Sequence, residues 1–386
     1  MKQHHLIATV LFVSILFTGL FGILLGEKEN FSVQENRSLQ GSPKFTAKRL
    51  FSGDYSQDTD AFFSDQFLFR DRLVGWKGRM EISMGKGECN GILLGTDGRL
   101  ARRLGDVLAD GACLHDCDAV DEEQVKRACR GIQRIGAALG DRFTVLLTGR
   151  NIDVTASAFS YPNAFGEALE RWLKRELEGV STVETVPLLR EKFEDGEEVY
   201  FRTDHHWTAR GAYYAYVEVM RQFGLESQII PEERFEKRRV TDAFCGSLWS
   251  AGGMKWVAPD CLELWLLGNE EEFRVTADGK PSELYSRRWL SRKDCYSVFL
   301  DGVHDVITVE KPDEERPRLL LLKDSFANSL APFLAQHFDL VLLNLSSTAR
   351  DFTHLSALSD EWDADRCLLV YTLENLISAD RLSRLR

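Results

Sequence analysis

Asp204, His205 and His206 stand together in YFRTDHHWTARGAYYAY (200–216), an acid and two consecutive imidazoles directly ahead of an aromatic-rich segment. Residues of these types make a metal site, the acid–base half of a hydrolase triad, or a polar loop without chemistry. A metal needs further ligands, whereas an Asp–His pair needs a nucleophile. The other histidines (His4, His5, His115, His304, His337 and His354) are isolated or lie in the N-terminal tail, so no second ligand cluster presents itself. A nucleophile is at hand in LLLLKDSFANS, which places Ser325 where an apolar strand stops and a helix starts. That is where open α/β sheets bind ligands, and the free amides and positive end of the helix favour the oxyanion of acyl transfer. The residues beside Ser325 are not both glycine, so the pattern is weaker than G-x-S-x-G, and an ordinary N-cap serine reads the same way. Together the three residue types supply nucleophile, base and orienting acid. One short loop carries Asp204 with His205 and His206, and because adjacent residues point in different directions only one of the two imidazoles is expected to act as base, a choice the motif by itself leaves open.

Around this set, Asn328 stands one turn into the following helix, as a further donor or simply a first-turn asparagine. Trp207, Tyr213, Tyr214 and Trp249 offer an apolar face for sugar rings, or pack the motif helix on the sheet. Arg202 and Arg210 flank the loop, as contacts for an anionic sugar or as solvated side chains.

The elements that must hold these residues alternate in type. From Asp121 a helical pattern runs to about Leu139, followed by the strand RFTVLLT, a helix over Ala164 to Leu177, and the strand STVETVPLL. Thr208 is placed to cap a helix running to about Phe223. Leu319 to Leu322, a helix to about Phe338 and Leu340 to Leu345 close the pattern, with CLLVY beyond. Strands interleaved with helices predict a parallel sheet covered on both faces. Between about 224 and 316 the chain is richer in Gly, Ser and Trp, which reads as an irregular, partly β insertion. Earlier, Ser56 to Met84 is helix-like, with Phe63, Phe67, Leu73 and Trp76 expected in a core, and NGILLGTDGRLARR signals a hairpin.

The 386 residues, 44% hydrophobic and 28% charged, suffice for a full core. A net charge of -12 without a Lys/Arg block argues against nucleic acid as a partner. Residues 6–25, LIATVLFVSILFTGLFGILL, carry no charge over a bilayer-spanning length. Lys2 precedes them and Glu27, Lys28 and Glu29 follow, which puts residues 1–5 in the cytoplasm and all beyond the span outside. No small-x-small cleavage pattern closes the run, so an uncleaved anchor is expected rather than a signal peptide. A polar stalk over 26–50 then leads into the main domain, 51–386. The eight cysteines are compatible with disulfides without selecting a pairing, and CLHDC (113–117) reads as a surface loop or disulfide rather than a metal site. No cofactor is implied.

Six segments in order, ENRSL, DQFLFRDR, NGILLGTDGRL, RTDHHWTARGAYYAY, FCGSLWSAGG and LLKDSFANSLAPFL, resemble the bacterial DHHW family, which is similar to the alginate O-acetyltransferase proteins of SGNH-hydrolase type. The resemblance runs from about Phe31 to about Asn375. It implies a flavodoxin-like three-layer α/β domain with Ser325 as nucleophile and Asp204-x-His206 as dyad, the dyad preceding the serine in the chain, which leaves His205 to a structural hydrogen bond or the rim of the site. It also implies work outside the membrane on exported polysaccharide, with a membrane-bound acyltransferase supplying acetyl groups. Lys323-Asp324 replaces the family's glycine and small polar residue, and LNLSSTARD (343–351) replaces an acidic-Leu-Arg stretch. The expected activity is O-acyl transfer or ester hydrolysis on a polysaccharide; the alternative is a non-catalytic glycan-binding or assembly protein that keeps the fold.

Overall fold

The computed structural model describes residues 2–32, 37–102, 122–160, 164–345, 359–378 and 382. Cys113 and Cys117 and most of LNLSSTARD lie outside them. The chain divides into two compact units, one of 1–91 with 249–257, the other of 92–248 with 258–386.

The first unit contains α1 (Lys2–Leu25), the short strands β1 (Phe31–Ser32) and β2 (Arg37–Ser38), helices α2 (Ala47–Ser52), α3 (Asp54–Asp65) and α4 (Arg70–Ser83), and β3 (Glu88–Cys89). Among the described residues, α1 alone is long and apolar enough to cross a membrane, over His4–Ile23. The single helix expected over 56–84 is two, broken where Phe69 takes a left-handed φ of 59°. Its aromatics are not core: Phe63, Phe67, Leu73 and Trp76 are all exposed.

The second unit opens with the expected hairpin, β4 (Ile92–Leu94) and β5 (Leu100–Arg102), turning through Asp97 and Gly98 at positive φ. Then come α5 (Glu122–Leu139), β6 (Phe143–Thr148), α6 (Asn151–Val154), α7 (Ala164–Glu176), β7 (Thr182–Val183), α8 (Val186–Glu194) and α9 (Ala209–Gln222). The expected strand STVETVPLL is only two residues long, because Pro187 enters the first turn of α8. The region expected to be irregular supplies the antiparallel ribbon β8 (Glu236–Phe244) and β9 (Asp260–Leu266), the short helix α10 (Ser247–Gly252), whose residues from Trp249 on belong to the first unit, and the strands β10 (Arg274–Ala277), β11 (Lys280–Ser282) and β12 (Val306–Glu310). β13 (Arg318–Lys323), α11 (Ala327–Leu334), β14 (Asp339–Asn344), β15 (Arg366–Thr372) and a helix over Leu373–Ser378 complete the unit.

Eight strands form one sheet in the order β11-β10-β12-β14-β13-β15-β6-β7. From β14 to β7 every pairing is parallel, while β12, β10 and β11 extend the edge antiparallel. Successive strand residues face opposite sides, so Leu319 and Leu321 pack with α9 and α11, and Leu320 and Leu322 with α5 and α7. This is a three-layer α/β unit, with helices on both faces of the sheet. Neighbouring β13, β15 and β6 end at one edge, where Thr372 closes β15 and Ser325 and Asn151 follow β13 and β6.

Candidate active site

Ser325 follows the carboxyl end of β13, a strand buried on both faces. Its turn is built by Asp324, which sits buried at the sheet edge. Asp324 Oδ1 accepts from the Phe326 amide (3.0 Å), and Oδ2 accepts from the Thr372 amide (2.7 Å) and Asn375 Nδ2 (2.9 Å). Asp324 thus ties the turn that carries Ser325 to the end of β15.

The other half comes from the loop before α9. The Phe201 amide donates to the His206 carbonyl (3.2 Å) and the Thr208 amide to Val199 (3.0 Å), closing a tight reversal of chain. Thr208 caps α9 by accepting from the Gly211 amide (3.2 Å), as its position predicts. Two anchors then fix the loop. Asn151, at the start of α6, donates to the Phe201 carbonyl (2.9 Å) and the Asp204 carbonyl (3.1 Å). Asp260 on β9 accepts from the Arg202 amide (3.1 Å), the Thr203 amide (2.8 Å) and the Thr203 hydroxyl (2.5 Å).

The three groups meet in line. His206 Nδ1 is 2.5 Å from Asp204 Oδ1, and Nε2 is 2.7 Å from Ser325 Oγ. Asp204 Oδ1 also accepts from the His206 amide (3.0 Å), and Oδ2 from the Ser247 amide (2.7 Å). That amide can approach because residue 246 is glycine: a Cβ there would lie 2.3 Å from the Asp204 Cβ. Burial alone would raise the Asp204 carboxyl. The adjoining His205 and His206 and its hydrogen bonds outweigh burial and hold it well below the ordinary carboxylate value. Tyr296, from the 3₁₀ turn Cys295–Val298, lies flat on the His206 ring with centroids 3.8 Å apart and planes 11° apart. Its hydroxyl meets Ser329 Oγ (2.9 Å) and donates to the Ser325 carbonyl (3.3 Å), so one side chain braces both base and nucleophile turn.

His205 takes a different direction. Its Nδ1 is 2.6 Å from Ser247 Oγ and 3.6 Å from Asp204 Oδ1, and its half-exposed ring lies tilted beside His206, with centroids 3.9 Å and planes 36° apart. Its surroundings, first by desolvation and then by the charge of His206, push its imidazole down to about 4. With Ser325, Ser247, Asn151, Arg102 and Glu374 it lines a cavity of about 150 Å³. A cavity of that size can hold a ring the size of benzene, so a small acyl group has room.

Asp204, His205 and His206 also bring one potential ligand atom each within 4.8 Å of one another. Those atoms are committed, Asp204 Oδ1 to His206 and His205 Nδ1 to Ser247. The set fits a proton-transfer chain better than a ligand shell.

Several expected contacts lie elsewhere. Trp207 is fully buried, its indole N–H donating to Ser329 Oγ (2.8 Å) and its ring edge-on to Phe326, so it packs the site from behind rather than presenting a sugar platform. Arg210 pairs with Glu197 (3.0 Å) and Glu232 (2.9 Å) over the Trp265 ring, and Arg202 pairs with Asp260. Asn328 is buried, accepting from Lys323 Nζ (2.8 Å) and donating to the Gly302 carbonyl (3.3 Å), and offers nothing to a substrate. Tyr213 is buried, Tyr214 donates to Glu197, and Trp249 donates to the Val257 carbonyl. Sequence reasoning missed Asn151, Ser247, Asp260 and Tyr296. The FCGSLWSAGG segment already contained Ser247, and a polar residue just after strand RFTVLLT was a legible signal for Asn151.

Residues 179–344 match the family model described as DHHW protein, and the stretch contains Asp204, His206 and Ser325. The DHHW resemblance stands. No curated protein sequence matches the chain. Among solved structures, a DHHW family protein from Eubacterium siraeum is similar at 16% identity and TM-score 0.57, over 77% of this chain and 95% of that one. Bacillus cereus PatB1, solved with a sulfonyl adduct, is similar at 19% identity and TM-score 0.60, over 76% of this chain and 100% of that one. The O-acetyltransferase domain of Pseudomonas putida AlgJ superposes more loosely, at 14% identity and TM-score 0.46, over 77% and 95%. These likenesses are of fold.

Proposed function

We propose that this DHHW-like chain is a serine-dependent O-acyltransferase or acetylesterase, anchored by residues 6–25 and acting outside the cytoplasmic membrane on cell-surface or exported polysaccharide. The observation that carries this reading is one imidazole, His206, held between Asp204 Oδ1 (2.5 Å) and Ser325 Oγ (2.7 Å). Ser325 Oγ attacks the carbonyl carbon of an acyl donor as His206 Nε2 takes its proton. The donor's leaving oxygen departs with that proton, leaving an acyl-serine. A sugar hydroxyl, or water, then gives its proton to His206 and attacks the acyl carbon, which releases the product ester or acid and restores Ser325. Asp204 keeps the imidazole in the tautomer that presents a bare Nε2 to the serine. The Ser325 amide, at the head of the turn before α11, faces the developing oxyanion. The acceptor is a polysaccharide, and a membrane-bound O-acyltransferase is the partner suited to deliver acetyl groups.

The test is turnover of p-nitrophenyl acetate together with mass spectrometry of the protein treated with a sulfonyl fluoride. Modification should fall on Ser325, and Ser325→Ala should abolish both modification and turnover while the protein stays folded. Undiminished turnover in Ser325→Ala would overturn the serine assignment, and a wild-type protein with neither turnover nor modification would leave the fold as a glycan-binding or assembly module.

A further inference from the structure

Helix α4 is built inside out for a water-soluble protein. Its glycines face inward: Gly75 and Gly78 are buried, and a Cβ on Gly78 would lie 2.8 Å from Cys89 Sγ and 3.3 Å from the Trp256 ring. Its large apolar residues face outward, with Leu73 51%, Trp76 73% and Met80 58% exposed, and Phe69 and Met84 likewise exposed at the two ends. At 100° per residue Leu73, Trp76 and Met80 fall within an arc of about 60°, on the side away from Gly75 and Gly78. A contiguous exposed stripe of this kind marks an interaction surface rather than scatter.

Three observations say what covers it. The corner between α3 and α4 packs along the last turns of α1, since a Cβ on Gly19 would lie 2.9 Å from the Phe67 ring and one on Gly22 3.1 Å from the Leu68 Cβ. Gly19 is about 9 Å short of Leu25 along the helix, at 1.5 Å per residue. A corner at that level lies beside the span, not beyond its end. Second, Gln66 donates to the Glu29 carbonyl (2.9 Å) and accepts from the Glu29 amide (3.2 Å), which fixes the corner to the chain leaving α1. Third, α4 carries Arg70, Arg72, Lys77 and Arg79 against Asp71 and Glu81, a basic excess in a chain whose net charge is -12. Apolar and aromatic residues on one face with Lys and Arg beside them are the pattern of a helix lying in a headgroup layer.

We infer that α4 is a lipid-seated collar, with Phe69, Leu73, Trp76, Met80 and Met84 in the headgroup–acyl boundary of the leaflet from which α1 emerges. This rests on the reading of α1 as a membrane span. The two are separable because α1 contains no tryptophan, whereas the collar has Trp76 at its centre.

The full chain, reconstituted in vesicles of phosphatidylethanolamine and phosphatidylglycerol with brominated acyl chains, should show tryptophan quenching that is largely lost in Trp76→Phe. Leu73→Glu combined with Met80→Glu should lower the quenching several-fold while ester hydrolysis persists. The span is read separately by resistance to alkaline carbonate extraction. A resistant chain whose quenching is absent, or unchanged in Trp76→Phe, overturns the collar and leaves the span intact. Extraction by carbonate overturns the span, and quenching that still depends on Trp76 would then support interfacial binding by α4 alone. Protection of Trp76 from both brominated lipid and aqueous acrylamide would mean that a protein covers the stripe, and the lipid inference would fall.

Discussion

Asp204, His205 and His206 occupy three consecutive positions, yet their neighbours give them three different jobs. Only His206 reaches Ser325, and His205 is turned by Ser247, so the two imidazoles do not compete for one acid. His206→Ala should therefore remove nearly all turnover, as loss of the serine does, because nucleophile and base act as a unit. Asp204→Asn should lower kcat by about four orders of magnitude, the scale on which a misplaced imidazole tautomer disables a serine-protease triad. His205→Ala should cost about tenfold, equivalent to about 1.4 kcal/mol of barrier. Steady-state kinetics that reversed the two histidines would show that the base is the other ring. Asp204 also links pH to stability. Its folded value lies below its ordinary 3.8, so its contribution is fully present above that value and is lost as pH falls through the depressed one. In denaturant titrations, the stability gap between wild type and Asp204→Asn should be wide at neutral pH and narrow progressively in acid below the ordinary value.

At the scale of elements, the site depends on pieces that never touch a substrate. Tyr296 comes from a 3₁₀ turn in the region expected to be irregular, and its ring is the wall on which His206 rests. An aromatic pair of this kind contributes about 0.5–1.5 kcal/mol beyond its buried area. Tyr296→Leu should lower kcat by about tenfold with little change in KM. Tyr296→Phe, which keeps the stack and loses only the hydroxyl contacts, should recover most of that loss. Equal damage from both variants would mean that the hydroxyl contacts to Ser325 and Ser329, not the stacked ring, carry the effect. Much of the surrounding frame was legible beforehand, because the apolar runs of β6, β13 and β14 and the Thr208 cap are local signals that tertiary structure does not override. Tyr296 and Asp260 were not legible, since each works through a partner far along the chain and neither stands in a periodic segment. The stripe on α4 misled for a related reason. Of the residues expected in a core, Leu73 and Trp76 do share one apolar face, but whether that face meets a core or a bilayer depends on what packs the opposite side, here Gly75 and Gly78.

For the molecule as a whole, the question is which side of a membrane the serine occupies. Helix α1 is long and apolar enough to cross, Lys2 precedes its apolar stretch, and Glu27, Lys28 and Glu29 follow it. Basic residues are retained on the cytoplasmic side, so the orientation we propose has the N-terminus inside and the residues beyond Glu27 outside. The six described cysteines are unpaired, buried or half-buried, and the described fold draws on no disulfide for its integrity. An outward orientation makes two demands at once. Protease added to intact cells should digest everything beyond Glu27 and leave a short N-terminal fragment in the membrane, detectable with an N-terminal tag. A membrane-impermeant serine reagent should label Ser325 in the same cells. Recovery of a full-length chain in the soluble cytoplasmic fraction, or labelling of Ser325 only after lysis, would place the site on the wrong side for an exported polysaccharide, whatever its chemistry.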